Sequence, residues 1–441
     1  MRLLVAPWGN PKWSEVDYLF DGERIRSRTS LTAIQRAISP DRTLILVLDT
    51  LASRGSDYEE VERGVRERVR GFAEENGLMN FEIIVAPGVG NFKNGEFRGS
   101  MLDYYHYTMF RLAEELAEGD EEGVEVHLDL THGINFMPVL TYRALKELLG
   151  IASIFTNARL VVYNSDPYSK DVSKELIVNK LEDEIVRPEP PSNLTEEKRP
   201  VVFLELSEEE REVVRKEKLS ILDEVEAIRR REVLAFMGGL LGGLPLSVYT
   251  FFVSSEDLRR ILLRTLEVYR SYIEVSEGDR LSVRRKIGLG SDFRTYVLAY
   301  LMSRFLERRG VGRKRKVSLK DIDRLREEIF WFDERSSVTL QKEVHHLKAV
   351  TYGIDLLDWT TYRAVEERGS LVAERLEDGP DERNFLAHGG LERNVVEIAK
   401  IDGEIYLRYS DRYLSTIKRL SSRILRPPSA GTRTVTGALE G

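Results

Sequence analysis

The stretch Arg383-Asn384-Phe385-Leu386-Ala387-His388-Gly389-Gly390 sets a permanent cation, an amide and an imidazole within about a turn and a half of helix. Arg carries a fixed, planar charge that suits a phosphate. His titrates near neutral pH, so it can give or take a proton. These are groups able to break an RNA phosphodiester without a metal. Arg383 and His388 lie about 140° apart around a helix, so they share a face only in part. One copy therefore makes half of a cleft. The remaining histidines, His106, His127, His132, His345 and His346, all lack an Arg at that spacing. A plainer reading of the same residues is a helix C-terminus, with His388 capping carbonyls and Gly389 as the left-handed stop.

A second set of polar residues recurs in the first half, always after an apolar run. The runs Leu3–Ala6, Leu44–Leu48, Phe81–Ala86, Val124–Leu130 and Leu160–Tyr163 are short, β-branched and bounded by turn residues, so they read as strands. Between them lie helical patterns at Tyr58–Glu75, Met101–Ala117 and Phe136–Leu149. Alternation of this kind predicts an α/β domain, a mostly parallel sheet covered on both faces. A further strand near Leu176–Leu181 would close its edge. Ligands of such sheets bind beyond the carboxyl ends of the strands. Those ends carry Trp8-Gly9-Asn10, Asp49-Thr50, Gly88-Val89-Gly90-Asn91, Asp129-Leu130-Thr131-His132-Gly133-Ile134-Asn135 and Asn164-Ser165-Asp166. The Thr-His-Gly loop leads into a helix, whose backbone donors and dipole would face an anion. The set favours a nucleotide-like ligand. Neither the dinucleotide glycine fingerprint nor a Walker lysine motif is present, so NAD and ATP fit poorly.

Composition bounds the rest. A chain of 441 residues with 42% hydrophobic and 32% charged residues is expected to hold two or three globular domains. With no cysteine, disulfides, iron–sulfur clusters and a thiol nucleophile are excluded. The net charge of −8 argues against a protein coated with nucleic acid, and no stable DNA partner is expected. A local basic run, Arg308 to Lys316, is the first place to look for RNA backbone contact, with a solvated loop as the alternative. Abundant Glu, Lys and Arg with only Gln35 and Gln341 point weakly to a thermophile. The N-terminus enters a strand-like run without a basic leader, so a cytoplasmic location is expected. Leu234 to Ser255 is uncharged and long enough to span a bilayer. However, Gly238, Gly239, Gly242, Gly243 and Pro245 make it a break between two short buried helices.

From Val201 onward the pattern turns helical, with a long charged helix over Glu208–Arg231, after a linker at Arg187–Asn193. Ile398–Tyr409, with Asp402-Gly403 at its centre, reads as a hairpin. The expected domains are residues 1–190, a helical connector 191–290, an all-α domain 291–426 and a disordered tail 427–441.

Arg-Asn followed by Leu-Ala-His-x-Gly resembles the catalytic motif of HEPN ribonucleases. The Asp129-x-Thr131-His132-Gly133 loop, in a Rossmann-like first half, resembles the CARF domain of CRISPR-associated proteins. Nearly the whole length is thus similar to a CARF–HEPN ribonuclease of type III CRISPR defence. The resemblance implies a single-strand RNase that stays quiet until a cyclic oligoadenylate binds a CARF dimer. Cyclic tetra-adenylate is the first candidate and the hexa-adenylate the second. It also implies a pocket lined by Thr131, His132, Gly133 and Asn135, with Trp8, Gly9, Asn10, Asp49 and Thr50 nearby and Gly88, Val89, Gly90 and Asn91 closing over it. A symmetric ring suits the two-fold axis of a homodimer, and dimers could assemble further. In catalysis Arg383 would hold the phosphate, Asn384 fix geometry and His388 move a proton, with no metal or cofactor taking part. The alternative is a CARF-type nucleotide sensor or transcription regulator without catalysis.

Overall fold

A computed structural model describes residues 1–119, 123–191, 194, 200–214, 231–367 and 379–425. Part of the linker, residues 215–230 of the expected long helix and the C-terminal tail lie outside the described residues. The start of that helix is present as Glu208–Val213, opened by a Ser207–Glu210 capping box.

The contacts divide the chain into two compact units. One holds the described residues of Met1–Pro190, Glu197–Val225 and Ser255–Arg309; the other holds those of Pro191–Glu196, Glu226–Ser254 and Gly310–Gly441.

The first unit is built on an eight-stranded sheet. Its strands are β1 (Arg2–Pro7), β2 (Val16–Phe20), β3 (Glu23–Ser27), β4 (Arg42–Leu48), β5 (Phe81–Ala86), β8 (Val124–Asp129), β9 (Ala158–Ser165) and β10 (Glu175–Ile185), in the order β3-β2-β10-β9-β8-β1-β4-β5. The five strands from β9 to β5 run parallel, and β10 turns back antiparallel on β9. Central strands are apolar along their length because both faces are covered. Leu4, Ala6, Ile45 and Val47 pack with Leu31 and Ile34 of helix α1 (Ser30–Ile38) and with Val61, Val65, Val69 and Phe72 of α2 (Tyr58–Glu75). Strand alternation turns Leu3 and Val5 to the opposite face, where α3 (Met101–Leu116) and α4 (Met137–Phe155) pack on one another and α4 on β1. The expected strands and helices are present, but the strand near Leu176 does not close the edge: β10 lies between β9 and β2, and the β2–β3 hairpin extends the sheet beyond it.

Beyond Val201 the first unit is not purely helical. Two short strands after β5, β6 (Gly90–Phe92) and β7 (Gly95–Arg98), join the hairpin β12 (Ile273–Glu277) and β13 (Leu281–Arg285) in a sheet of order β12-β13-β7-β6. β11 (Val201–Phe203) pairs with β14 (Ile287–Leu289). The helices Ser255–Ser271 and Ser291–Arg308 pack together; the latter, grouped by its sequence with the C-terminal domain, packs on α3 and α4.

In the second unit, residues 231–241 and Pro245–Phe251 form two helices broken at Gly242-Gly243, as the glycines require. Among the described residues no helix is long and apolar enough to cross a membrane. Four strands, β15 (Val317–Ser318), β16 (Thr360–Thr361), β17 (Val396–Ile401) and β18 (Glu404–Tyr409), form a sheet of order β15-β18-β17-β16. Asp402 and Gly403 turn the β17–β18 hairpin with φ of 52° and 79°, the positive pair of a type I′ turn. The rest is helical: Leu319–Glu328, Glu334–Val350, Tyr362–Glu366, Glu382–Ala387 and Leu414–Arg423.

Candidate functional sites

In the first unit, β1 has β4 on one side and β8 on the other, so the strand order reverses there and a crevice opens between their carboxyl ends. The loops after β1 and β8 meet at that point: the Gly9 N–H donates to the His132 carbonyl at 2.8 Å. A Cβ on Gly9 would lie 2.6 Å from Ile134 Cγ2, so the approach requires glycine.

The expected ligand residues fall into two groups. Asn10, Asn91 and Asn135 are exposed along the strand ends, and Asn135 has φ of 48°. Arg68 donates to Asn10 Oδ1 at 2.6 Å and Arg280 to Asn91 Oδ1 at 2.8 Å, placing two guanidinium groups beside the outer loops. Val89, Gly90, Thr131 and Gly133 are half-buried.

The remaining side chains, and that of Thr131, pack or bond within the protein, His132 from a half-buried position. Trp8 is buried edge-on against Trp13 and Phe72. His132 stacks on Trp13 with ring centroids 3.8 Å apart. Its Nε2 accepts the Ser30 N–H at 3.4 Å and lies 3.3 Å from the Tyr18 hydroxyl. Burial drives this imidazole down to about 3, so it is neutral. The Thr131 hydroxyl donates to Asp129 at 2.6 Å and accepts from the Ser165 N–H at 3.0 Å. Thr50 and Gly88 are buried.

Asp49 is fully buried and pairs with the equally buried Arg285 of β13. The carboxylate also accepts the Gly88 N–H at 2.9 Å and the Tyr58 hydroxyl at 3.0 Å. Arg285 donates in turn to the carbonyls of Gly88 at 2.9 Å and Arg98 at 3.3 Å. Burial opposes both charges. The adjacent Asp49 more than offsets it for Arg285, whose pKa stays above its ordinary value. One salt bridge thus ties the Gly88 loop to the β12–β13 hairpin. The sequence gives no sign of it beyond alternation, which sends Arg284 outward and Arg285 inward.

In the second unit, Asp381 caps the helix Glu382–Ala387 by accepting the Asn384 N–H at 2.9 Å. Phe385 is buried and faces Tyr409; Arg383, Asn384 and His388 are exposed. Gly389 and Gly390 follow with φ of 59° and 77°, and Gly390 N–H returns to the Phe385 carbonyl at 2.8 Å. The features of a helix stop are therefore present, and they leave the catalytic candidates facing solvent. A Cβ on Gly389 would lie 2.6 Å from Leu340 Cδ2, so this turn packs closely on the helix Glu334–Val350. From that helix the Glu343 carboxylate meets His388 Nδ1 at 2.8 Å.

Other candidates resolve into structural roles. His106 bonds the Leu289 carbonyl, and its pKa is lowered to about 4, chiefly by burial. His127 bonds the Tyr163 hydroxyl, and His346 pairs with Glu366. In the basic run, Arg313 pairs with Glu232, Lys314 with Asp321 and Arg315 with Asp411.

Residues 3–167 match the CARF domain of CRISPR system endoribonuclease Csx1, and residues 333–412 match its HEPN domain. The chain is 33% identical to the CRISPR system endoribonuclease Csx1 of Methanocaldococcus jannaschii, over 94% of this chain and 92% of that protein. It belongs to the Csx1 family of CRISPR endoribonucleases. The enzyme is thus a CARF–HEPN ribonuclease, and the CARF match contains the strand-end crevice while the HEPN match contains Glu343, Arg383, Asn384 and His388. Among solved structures, Enterococcus italicus Csm6 bound to cyclic hexa-2'-fluoro-hexa-dAMP is similar at 12% identity and a TM-score of 0.25, covering 96% of this chain and 94% of that one. Within this Csx1-family enzyme, sequence motifs alone pass over Arg68, Arg280, Arg285 and Glu343, because each reaches its site from a distant element.

Proposed function

We propose that this endoribonuclease cuts single-stranded RNA in the cytoplasm, as a homodimer switched on by a cyclic oligoadenylate. The observation that carries the reading is the exposed Arg383–Asn384–His388 group at a glycine-stopped helix end, half of a cleft that a second copy would complete. The 2′-hydroxyl of the substrate attacks the adjacent phosphorus, leaving a 2′,3′-cyclic phosphate and a 5′-hydroxyl. Arg383 holds the phosphate and offsets the charge growing on it. His388 moves the proton, and Asn384 fixes the geometry. RNA brings its own nucleophile, so these groups suffice and no metal is required.

The activator sits at the β1–β8 crevice, on the two-fold axis. Asn10, Asn91 and Asn135 offer amides to base edges, while Arg68 and Arg280 offer charge to phosphates. The ring is cyclic tetra-adenylate or, failing that, the hexa-adenylate. It can switch the nuclease only by binding one arrangement of the dimer more tightly than the other.

The test is cleavage of labelled single-stranded RNA in EDTA, with and without each ring, by wild type and His388→Ala. Ligand-dependent cutting that the substitution abolishes, with cyclic-phosphate ends, is expected. Cutting that EDTA stops would remove the metal-free mechanism. Ligand-independent cutting would remove the activation.

A further inference from the structure

Among the described residues, the Glu343 carboxylate bonds one side chain, the His388 imidazole. Glu343 lies on the inner side of the helix Glu334–Val350, three residues beyond Leu340, with its side chain 14% exposed. Positions three apart share a helix face, so the contact that seats Gly389 on Leu340 also brings His388 to Glu343. Among the described residues no Lys or Arg pairs with Glu343, in a protein whose other carboxylates are widely paired with Arg; its hydrogen-bond partner is the imidazole at 2.8 Å.

Charged and titratable groups lie on each element beside the pair. Asp381, Arg383, Glu392 and Arg393 lie on its own segment. The helix Glu334–Val350 brings Glu343 and His346. Tyr362 and Glu366 belong to the helix Tyr362–Glu366. Of these, Glu343 makes the hydrogen bond to the ring.

We propose that Glu343 is the positioning residue of His388, holding the proton on Nδ1 so that Nε2 presents its lone pair to the RNA. A neutral imidazole has one donor and one acceptor nitrogen, and the bond made at one decides the role of the other. A carboxylate only accepts, so it selects the tautomer with hydrogen on Nδ1. The same bond fixes the ring plane. Oriented this way, Nε2 can take the 2′-hydroxyl proton or, once protonated, return one to the leaving 5′-oxygen. This inference rests on His388 being the catalytic group.

The test compares wild type, Glu343→Gln, Glu343→Asp, His388→Ala and the Gln/Ala double variant. Single-turnover RNA cleavage is followed from pH 5 to 9, with cyclic tetra-adenylate and cyclic hexa-adenylate in parallel. Glutamine keeps the shape but can donate to Nδ1 and so select the wrong tautomer. Glu343→Gln should lower the cleavage rate about 10–100-fold, part of what proton transfer contributes. It should leave the RNA KM within about threefold, shift the pH profile and be partly restored in Glu343→Asp. On a His388→Ala background it should cost nothing more. A Glu343→Gln enzyme that cuts within about threefold of wild type, while His388→Ala is dead, would overturn the positioning role and leave the active site standing. So would an undiminished loss on the His388→Ala background. If His388→Ala cuts normally, or wild type leaves RNA intact with both rings, the site itself is misassigned and the inference falls with it.

Discussion

Replacing Arg285 by methionine keeps most of the side-chain volume and removes one half of the buried pair with Asp49. The partner left behind is fully buried, with the Gly88 N–H and Tyr58 hydroxyl as its remaining donors. The Gly88 carbonyl also loses its guanidinium donor. Breaking a buried pair from one side costs about 3–5 kcal/mol, and the two surviving donors on Asp49 keep the figure near 4 kcal/mol. A unit of this size loses about 2–4 °C per kcal/mol, so its melting point should fall by about 8–16 °C. Trp8 and Trp13 report on the first unit; Trp331→Phe and Trp359→Phe silence the tryptophans of the second. In that background, thermal unfolding followed by tryptophan fluorescence reads the first unit alone. Adding Asp49→Asn to Arg285→Met removes the stranded charge, so the double variant should melt above the single one. A drop below about 3 °C for Arg285→Met, or a double variant melting lower still, would refute the ion pair as the clamp between the Gly88 loop and the β12–β13 hairpin.

Three other outcomes are expected. Burial keeps His106 and His132 neutral in the fold, at about 4 and about 3. Above pH 6.5 the unfolded chain is neutral at both rings too; below it, the unfolded chain takes protons that the fold refuses. Stability should therefore fall as pH drops from 6.5, by about 2 kcal/mol per ring at pH 5. Urea midpoints at pH 7 and 5 check this, and His132→Phe should remove about half of the difference. Gly389→Ala places a side chain at φ 59° and against Leu340; it should cost about 1–2 kcal/mol and slow RNA cleavage by more than Arg383-independent controls such as Lys418→Ala. Lys314 and Arg315 are already paired with Asp321 and Asp411. Alanine at both should leave the salt dependence of RNA binding unchanged, whereas a slope smaller by about one per charge would show phosphate contact.

The sequence disclosed what is local. Phe81–Ala86 and Tyr58–Glu75 are strand and helix over the very residues their patterns mark, because burial on both faces or one stripe writes itself into the apolar spacing. Asp402-Gly403 turns its hairpin for the same reason. Yet Asp21-Gly22, with φ of 52° and 80°, turns β2 into β3 by the same chemistry, and a strand reading based on apolar runs passes over it, since Glu23–Ser27 is mostly polar. The candidate sites divide likewise. Arg383 and His388 share one helix end and could be read together. Glu343 stands forty-five residues from His388, and Arg285 lies far along the chain from Asp49. Nothing in the spacing of either pair marks a contact, because packing alone creates it. Polar type was also a poor guide to exposure: Asp49 looks like a ligand residue, yet its carboxylate is fully buried and paired with Arg285.

The chain passes back and forth between its two units before the nuclease motif is reached. The described residues of Glu226–Ser254 belong with the second unit, and there Ser247 bonds the Tyr409 hydroxyl, which donates to the Gly390 carbonyl behind His388. A fragment that begins after Arg309 therefore lacks part of the floor beneath the turn that carries His388. An interleaved chain of this kind makes the second unit depend on residues from both sides of the Ser255–Arg309 segment.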